Sequence, residues 1–282
     1  MFSRPFVRSR TPALRGVSRA PRALIGIVKF PARASGSCEL ARGVEALAPG
    51  LAWLPASRTL IAADAHLAYE DVVGGALPLW STAEIVATLG IVARNVAARE
   101  IVFLGDIVHG SAMSEGAMRT VRDGLAVLRE VASLTLVAGN HEGRSRAFAV
   151  LGDTVEECER DGWLLVHGDR PAALGRPAII GHLHPSIHLG GGASVPAFVA
   201  SDALIVVPAL TPYSPGLDLF SSDFSKAIGL WSVRRSDAHV VATSLDRVFP
   251  FGSLATLRDA LRAPASPPRA PSRFRKRHLK AG

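Results

Sequence analysis

Long apolar runs are missing from this 282-residue chain. None approaches the roughly 18 residues that a membrane-spanning helix needs, which argues against a membrane protein. Cysteine is scarce too. Cys38 and Cys158 stand far apart and form no CxxC pair, so a disulfide framework and a thiolate zinc site are both disfavoured. A reducing, cytoplasmic setting is the default that follows. Acidic residues are absent from both ends: residues 1–38 carry eight Lys or Arg and residues 262–282 carry seven, with no Asp or Glu in either. Removing those fifteen from the 32 basic residues leaves seventeen against 24 acids. The net charge of +8 therefore belongs to the tails, and the body between them is acidic. Basic tails suit polyanions such as nucleic acid, although solvated disorder is their commoner use.

The N-terminal stretch lacks the 7–15-residue apolar segment of a secretory signal; Ala23–Val28 is its longest apolar run. Its Arg, Pro and Ser content resembles that of an organellar transit peptide. The simpler expectation is a disordered basic extension over residues 1–37, a folded domain over 38–262, and a disordered basic tail over 263–282.

Within the body, short apolar runs end repeatedly at polar residues. Leu60–Ala63 runs into Asp64, Ile101–Leu104 into Gly105-Asp106, and Leu134–Ala138 into Gly139-Asn140. Trp163–Val166 runs into His167-Gly168, and Ala178–Ile180 into Gly181-His182. Runs of this length and continuity read as strands buried on both faces. Helical spacing fills the gaps between the first three. Ser81-Thr82-Ala83-Glu84 has the form of a capping box and precedes Ile85, Leu89, Val92 and Val96, while Met118, Val121, Leu125 and Leu128 form a second stripe. Farther on, Ala203–Val207, Ile228–Val233 and Val240–Leu245 read as strands, and Leu254, Leu257 and Leu261 as a closing helix behind Ser253. The expected architecture is α/β: a four-layer αββα sandwich of two mixed sheets.

Polar residues just past buried strands form the ligand-binding rim of an open α/β sheet. Here that rim collects Asp64, His66, Asp106, His109, Asn140, His141, His167, His182 and His184, including six of the nine histidines. Asp64, Asp106, Asn140 and His182, each just past an apolar run, should converge at one sheet edge. A pair of divalent ions about 3.5–4 Å apart needs a bridging carboxylate with further oxygen and imidazole ligands. Asp106, turned by Gly105, suits the bridge. Asp64 and His66 suit one ion, with His184 returning to it. Asn140, His167 and His182 suit the other. Imidazole mixed with carboxylate oxygen favours manganese, with iron or zinc as alternatives, over magnesium.

Asp64-Ala65-His66, Gly105-Asp106-Ile107-Val108-His109-Gly110, Gly139-Asn140-His141-Glu142, His167-Gly168 and Gly181-His182-Leu183-His184 resemble, in order, the five motifs of the calcineurin-like metallophosphoesterases. The resemblance runs from about Leu60 to Pro185. It implies the αββα fold, the metal assignments above, and a His141 that sits over the substrate phosphate instead of binding metal. Gly181-His182-Leu183-His184-Pro185, the downstream Val206–Asp218 segment and the histidine at position 109 resemble a narrower group, the ligase-associated DNA-damage-response endonucleases. That group implies DNA as substrate and association with a DNA ligase or helicase. Glu142, where the family commonly has Asp, and Gly110-Ser111 depart from its pattern.

The expected activity is hydrolysis of phosphodiesters, in DNA on the narrower resemblance, with a small phosphate ester or nucleotide as the alternative substrate. His141 is expected to protonate the leaving oxygen, and His109 to position His141 or the phosphate. Arg144 could contact a phosphate oxygen or simply be solvated. A scaffold that had lost catalysis would show eroded ligands, and none of the seven is eroded. Short stretches between motifs leave little room for a cap domain, which favours a polymeric substrate.

Overall fold

A computed structural model describes residues 36–74, 79–110, 113–140, 150–171 and 175–262. His141 and Arg144, and nearly all of the two basic ends, lie outside these residues.

The chain opens with a meander that the apolar runs did not reveal: β1 (Ser37–Ala41), β2 (Val44–Leu47) and β3 (Leu51–Leu54), antiparallel in sequence. Then come β4 (Thr59–Ala63), β5 (Glu100–Leu104) and β6 (Ser133–Val137), which pair in parallel. All six form one sheet in chain order. Its crossovers carry α1 (Tyr69–Val73), α2 (Trp80–Asn95) and α3 (Glu115–Arg129). The second sheet holds β7 (Glu157–Arg160), β8 (Trp163–Val166), β9 (Ala178–Ile180), β10 (Pro185–Gly190), β11 (Ala193–Ala200), β12 (Leu204–Val206), β13 (Leu217–Asp218), β14 (His239–Thr243) and β15 (Val248–Ser253). In it β8, β9 and β12 run parallel. Its helices are α4 (Ser222–Gly229) and α5 (Leu254–Arg262).

Strand alternation sorts the core into three sheets of side chains, which makes four layers. On β4 and β5, Leu60, Ala62, Ile101 and Phe103 face α2 and α3, packing on Ile85, Leu89, Val121 and Leu125. Their neighbours Ile61, Ala63, Val102 and Leu104 face the other sheet and meet Leu165, Ile179, Phe198 and Ile205. Beyond the second sheet, Ile180, Val206 and Val240 pack on Phe224, Ile228, Leu254 and Leu257 of α4 and α5. Because every position of β4 is buried on one face or the other, its sequence is continuously apolar after Thr59, as the period-two geometry of a doubly covered strand requires. Burying each such Leu, Ile or Phe contributes roughly 1.5–3 kcal/mol.

Two local expectations need correction. Ile228–Val233 is not a strand. Ile228 lies in α4, because Phe224, Ile228 and Trp231 recur at helical spacing and are all buried, and Ser221 caps the helix by accepting the Phe224 N–H. Ser81 is not a cap: it lies inside α2, and the Leu79 cap position supplies no side-chain hydrogen bond. The Ser81 N–H and hydroxyl both go to the Glu70 carboxylate at 2.8 Å, so an anion from α1 serves the start of α2. Ser253, by contrast, accepts the Thr256 N–H at the start of α5. No helix among the described residues is long and apolar enough to cross a membrane.

Candidate metal centre

The carboxyl ends of β4, β5 and β6 meet those of β8 and β9, so the strand-end residues gather from both sheets and not from a single sheet edge. The seam is stitched by Asp64 Oδ2, which accepts the His182 N–H at 2.8 Å. Backbone bonds from the His66 N–H to the Asp106 carbonyl (2.9 Å) and from the Leu210 N–H to the Ala63 carbonyl (2.9 Å) tie the neighbouring loops. Two ligand groups result. Asp64, His66, Asp106 and His184 form one, and Asp106, His167 and His182 the other, with donor atoms in each group within 4.8 Å of one another. Asp106 belongs to both. Asn140, at the end of the β6 loop, places its Oδ1 2.9 Å from His167 Nε2.

The backbone is bent to bring these side chains inward. Asp64, His66, Asp106, His182 and His184 all have positive φ, between 43° and 62°. They are five of the ten non-glycine residues in that state among the described residues. Such conformations cost of order 1–3 kcal/mol each and persist where function requires them. Two glycines are required by close approach. A Cβ on Gly105 would sit 2.4 Å from His167 Nδ1 and 2.8 Å from Gly139 Cα, and one on Gly181 would sit 2.7 Å from Asp64 Oδ2.

The donor chemistry fits cations. His167 Nδ1 lies 2.9 Å from the Leu104 carbonyl, which can only accept, so this nitrogen carries the proton. With Nδ1 so held, Nε2 is the nitrogen left to bind a metal, an arrangement common among metal-binding histidines. Nε2 lies 2.9 Å from Asn140 Oδ1, 3.2 Å from His182 Nδ1 and 3.5 Å from Asp106 Oδ1. Oxygen and imidazole nitrogen gathered in this way suit a cation. In the other group, Asp64 is fully buried and its Oδ1 lacks a hydrogen bond. His184 Nε2 stands 3.3 Å away in ion-pair contact without hydrogen-bond alignment. An unsatisfied buried carboxylate oxygen is costly unless an ion completes it.

Burial, aided by the neighbouring His167, holds the His182 imidazole below its ordinary pKa, and the Asp64 and Asp106 carboxylates only partly offset this. It is thus a neutral donor. Burial would lower His184 as well, but the Asp64 carboxylate outweighs it and the pKa rises.

His109 lies beside the first group: its Nδ1 is 3.0 Å from His66 Nδ1, and its ring packs against Tyr69. Sequence reasoning missed Ser214, whose Oγ is 2.7 Å from His184 Nδ1. The only signal was that Ser214 falls within the Val206–Asp218 segment. It also missed the buried Glu70, which binds Ser81 and the Tyr213 hydroxyl.

Comparison with solved structures finds the same fold elsewhere. The nuclease MPE of Pseudomonas putida aligns over its whole length and 77% of this chain, at 24% identity and a TM-score of 0.59. YfcE, a phosphoesterase from E. coli, aligns over 83% of its length and 58% of this chain, at 17% identity and a TM-score of 0.35, a likeness too loose to inform the fold. A scan of protein-family models and a search of curated proteins find no match.

Proposed function

We propose that the protein is a two-metal phosphoester hydrolase that cleaves phosphodiesters, with nucleic acid as its substrate. The observation that carries this reading is the double membership of Asp106, a single buried carboxylate within reach of two separate ligand groups. Asp64, His66 and His184 would hold one ion with Asp106, and Asn140, His167 and His182 the other. Manganese suits this donor mix, with iron or zinc as alternatives. Two cations so held supply Lewis acidity to a phosphoryl oxygen and to the attacking water.

The chain's own groups supply the rest. Leu104, through its carbonyl, fixes the His167 tautomer, and the His184 ring is oriented by Ser214. His141, next to Asn140, is assigned the proton for the leaving oxygen. His109, in contact with His66, is placed to steady that ligand and the groups above it. Arg144 is assigned a phosphate oxygen. Exposure of Asn140 and partial exposure of His109 and His184 support a site open enough for a polymeric diester, and the fold is one that a nuclease also uses.

The test is hydrolysis of a generic diester and a generic monoester by the manganese-loaded protein, alongside metal content. Diester turnover above monoester turnover, with about two ions per chain, is expected. Faster monoester turnover would move the assignment to a phosphatase, and a single ion per chain would remove the bridge.

A further inference from the structure

The chain has two tyrosines, and the fold stacks them on each other beside the ligand cluster. The rings of Tyr69 and Tyr213 are 4.7 Å apart and only 15° from parallel. Tyr69, at the start of α1, also lies 4.6 Å from the His109 ring, whose own edge contacts the candidate ligand His66 at 4.9 Å. Tyr213 sits between two residues tied to ligands. The Thr211 N–H reaches the Asp64 carbonyl (3.3 Å), and Ser214 holds His184. The stack thus begins against His109, which touches the candidate ligand His66, and ends at the surface, where Tyr213 is 43% exposed.

The outer ring is held firmly. Its hydroxyl donates to Glu70 Oε1 at 3.0 Å, and Glu70 is only 4% exposed. Burial would raise the Glu70 carboxyl, but the donors from Ser81 and Tyr213 outweigh it and keep the pKa below the ordinary range, so the acceptor is anionic and strong. A tyrosine that merely filled space would bury its ring, and one that merely tied two loops would need only its hydroxyl. Tyr213 gives its hydroxyl to the buried Glu70 and one ring face to Tyr69, and the residue is still 43% exposed, at an angle set by those two contacts. A rigid aromatic surface loses little entropy when it binds a flat partner. Bases stack on such surfaces whatever their sequence, provided that they are unpaired.

We infer that the Tyr69–Tyr213 stack is a platform for an unpaired nucleobase next to the phosphate being cleaved. The site therefore takes single-stranded or frayed nucleic acid in preference to phosphodiesters that carry no base. This rests on the phosphodiesterase reading above.

The test uses the full chain and two pentanucleotides with the same phosphates, one with its bases and one abasic throughout, short enough to report on one site. Affinity is read by fluorescence anisotropy and cleavage by KM. Wild type is expected to favour the base-bearing strand by about 5–150-fold, the span for one stacked base. Tyr213→Leu should collapse that ratio toward one, and Tyr213→Phe, which keeps the ring, should preserve most of it. A wild type that does not distinguish the strands overturns the platform, and so does a Tyr213→Leu that still distinguishes them. If the leucine variant does not fold, the wild-type ratio and the phenylalanine variant decide. The two readings fail separately. Base-dependent binding without diester cleavage keeps the platform and removes the reaction, whereas equal cleavage of both strands keeps the reaction and removes the platform.

Discussion

The same parallel strands end in two very different ways. At their carboxyl ends, Asp64 is wholly buried with one oxygen lacking a hydrogen bond, His167 Nε2 lies against Asn140 Oδ1 and His182 Nδ1, and five candidate ligand residues are held at positive φ. At their amino ends, Glu100 of β5 is also largely buried, with 14% of its side chain exposed, yet it is surrounded by donors. Arg160 reaches it through Nε and Nη2, both at 2.7 Å, and the hydroxyls of Thr135 (2.6 Å) and Thr59 (3.3 Å) complete the set. Both rims bridge the two sheets with charge. One closes its polar groups within the protein and stabilises the fold; the other leaves the buried Asp64 Oδ1 without a hydrogen bond, where a cation would complete it. A site that binds cations has to forgo the satisfaction that would make it stable alone.

The sharpest way to break this contrast is at Asp106. Asp106→Asn is expected to abolish hydrolysis and reduce metal content, since an amide offers one weak oxygen where a carboxylate offers two. In chelator, however, the variant should melt no lower than metal-free wild type, because a buried negative charge near Asp64 has been removed. Metal analysis and thermal melts with and without chelator decide it. A metal-free melting point several degrees below wild type would mean that the ligand rim carries the fold after all.

His141→Ala tests chemistry apart from metal. Turnover should slow by about 10²–10⁴-fold, the range for a lost general acid, while both ions stay bound. With an activated ester, whose leaving oxygen needs no proton, the loss should shrink. Equal impairment on good and poor leaving groups would remove His141 from the proton path. Smaller again is the effect expected at Ser214, which orients His184 without touching the ion. Ser214→Ala should weaken one metal by about 10–100-fold, as is usual when the group that orients a metal-binding histidine is lost, and Ser214→Thr should restore most of it. Competition against a chelator reads this directly, and unchanged affinity in the alanine variant would show that His184 is oriented by packing alone.

The difference between the rims also explains what the sequence disclosed. Candidate ligand residues are legible because chemistry restricts their types and strand geometry restricts their places: Asp64, Asp106, Asn140, His167 and His182 each follow an apolar run. That those runs belong to two sheets meeting end to end was not legible, because a short apolar run does not say which sheet it joins. The β1–β3 meander was missed because Glu39 and Glu45 interrupt the apolar pattern of its first two strands, and the third, Leu51–Leu54, ends at Pro55 instead of a polar residue. Ile228–Val233 was misread because an apolar, β-branched run fits either period until its neighbours Phe224 and Trp231 are counted. Ser214, Glu70 and the Glu100–Arg160 pair act through contacts between residues distant in sequence; Tyr213 and Glu70 are separated by 143 positions. No local pattern marks such partners.

Glu100 offers the mildest test and bears on the stable rim alone. Burial by itself would raise its carboxyl, but the bonds from Arg160 and the two threonines outweigh that and hold the pKa below the ordinary value. A depressed folded pKa means that the unfolded chain binds more protons between the two values, so stability rises with pH across that window. The contribution is fully present above the unfolded value, near 4.3 for glutamate, and fades as pH falls through the folded one. Glu100→Gln should therefore lower stability near neutral pH by about 1–2 kcal/mol, a charge-assisted bond discounted for the partly solvated guanidinium. The gap to wild type should narrow as the pH drops below about 4. Diester hydrolysis and metal content should stay within about twofold, because Glu100 lies at the opposite strand ends from the ligands, and effects at distant sites are nearly independent. Denaturant titrations at several pH values, paired with activity at neutral pH, make the measurement. A gap that persists unchanged in acid would assign the loss to packing instead of charge, and a matching fall in metal content would show that the two rims are coupled through β5.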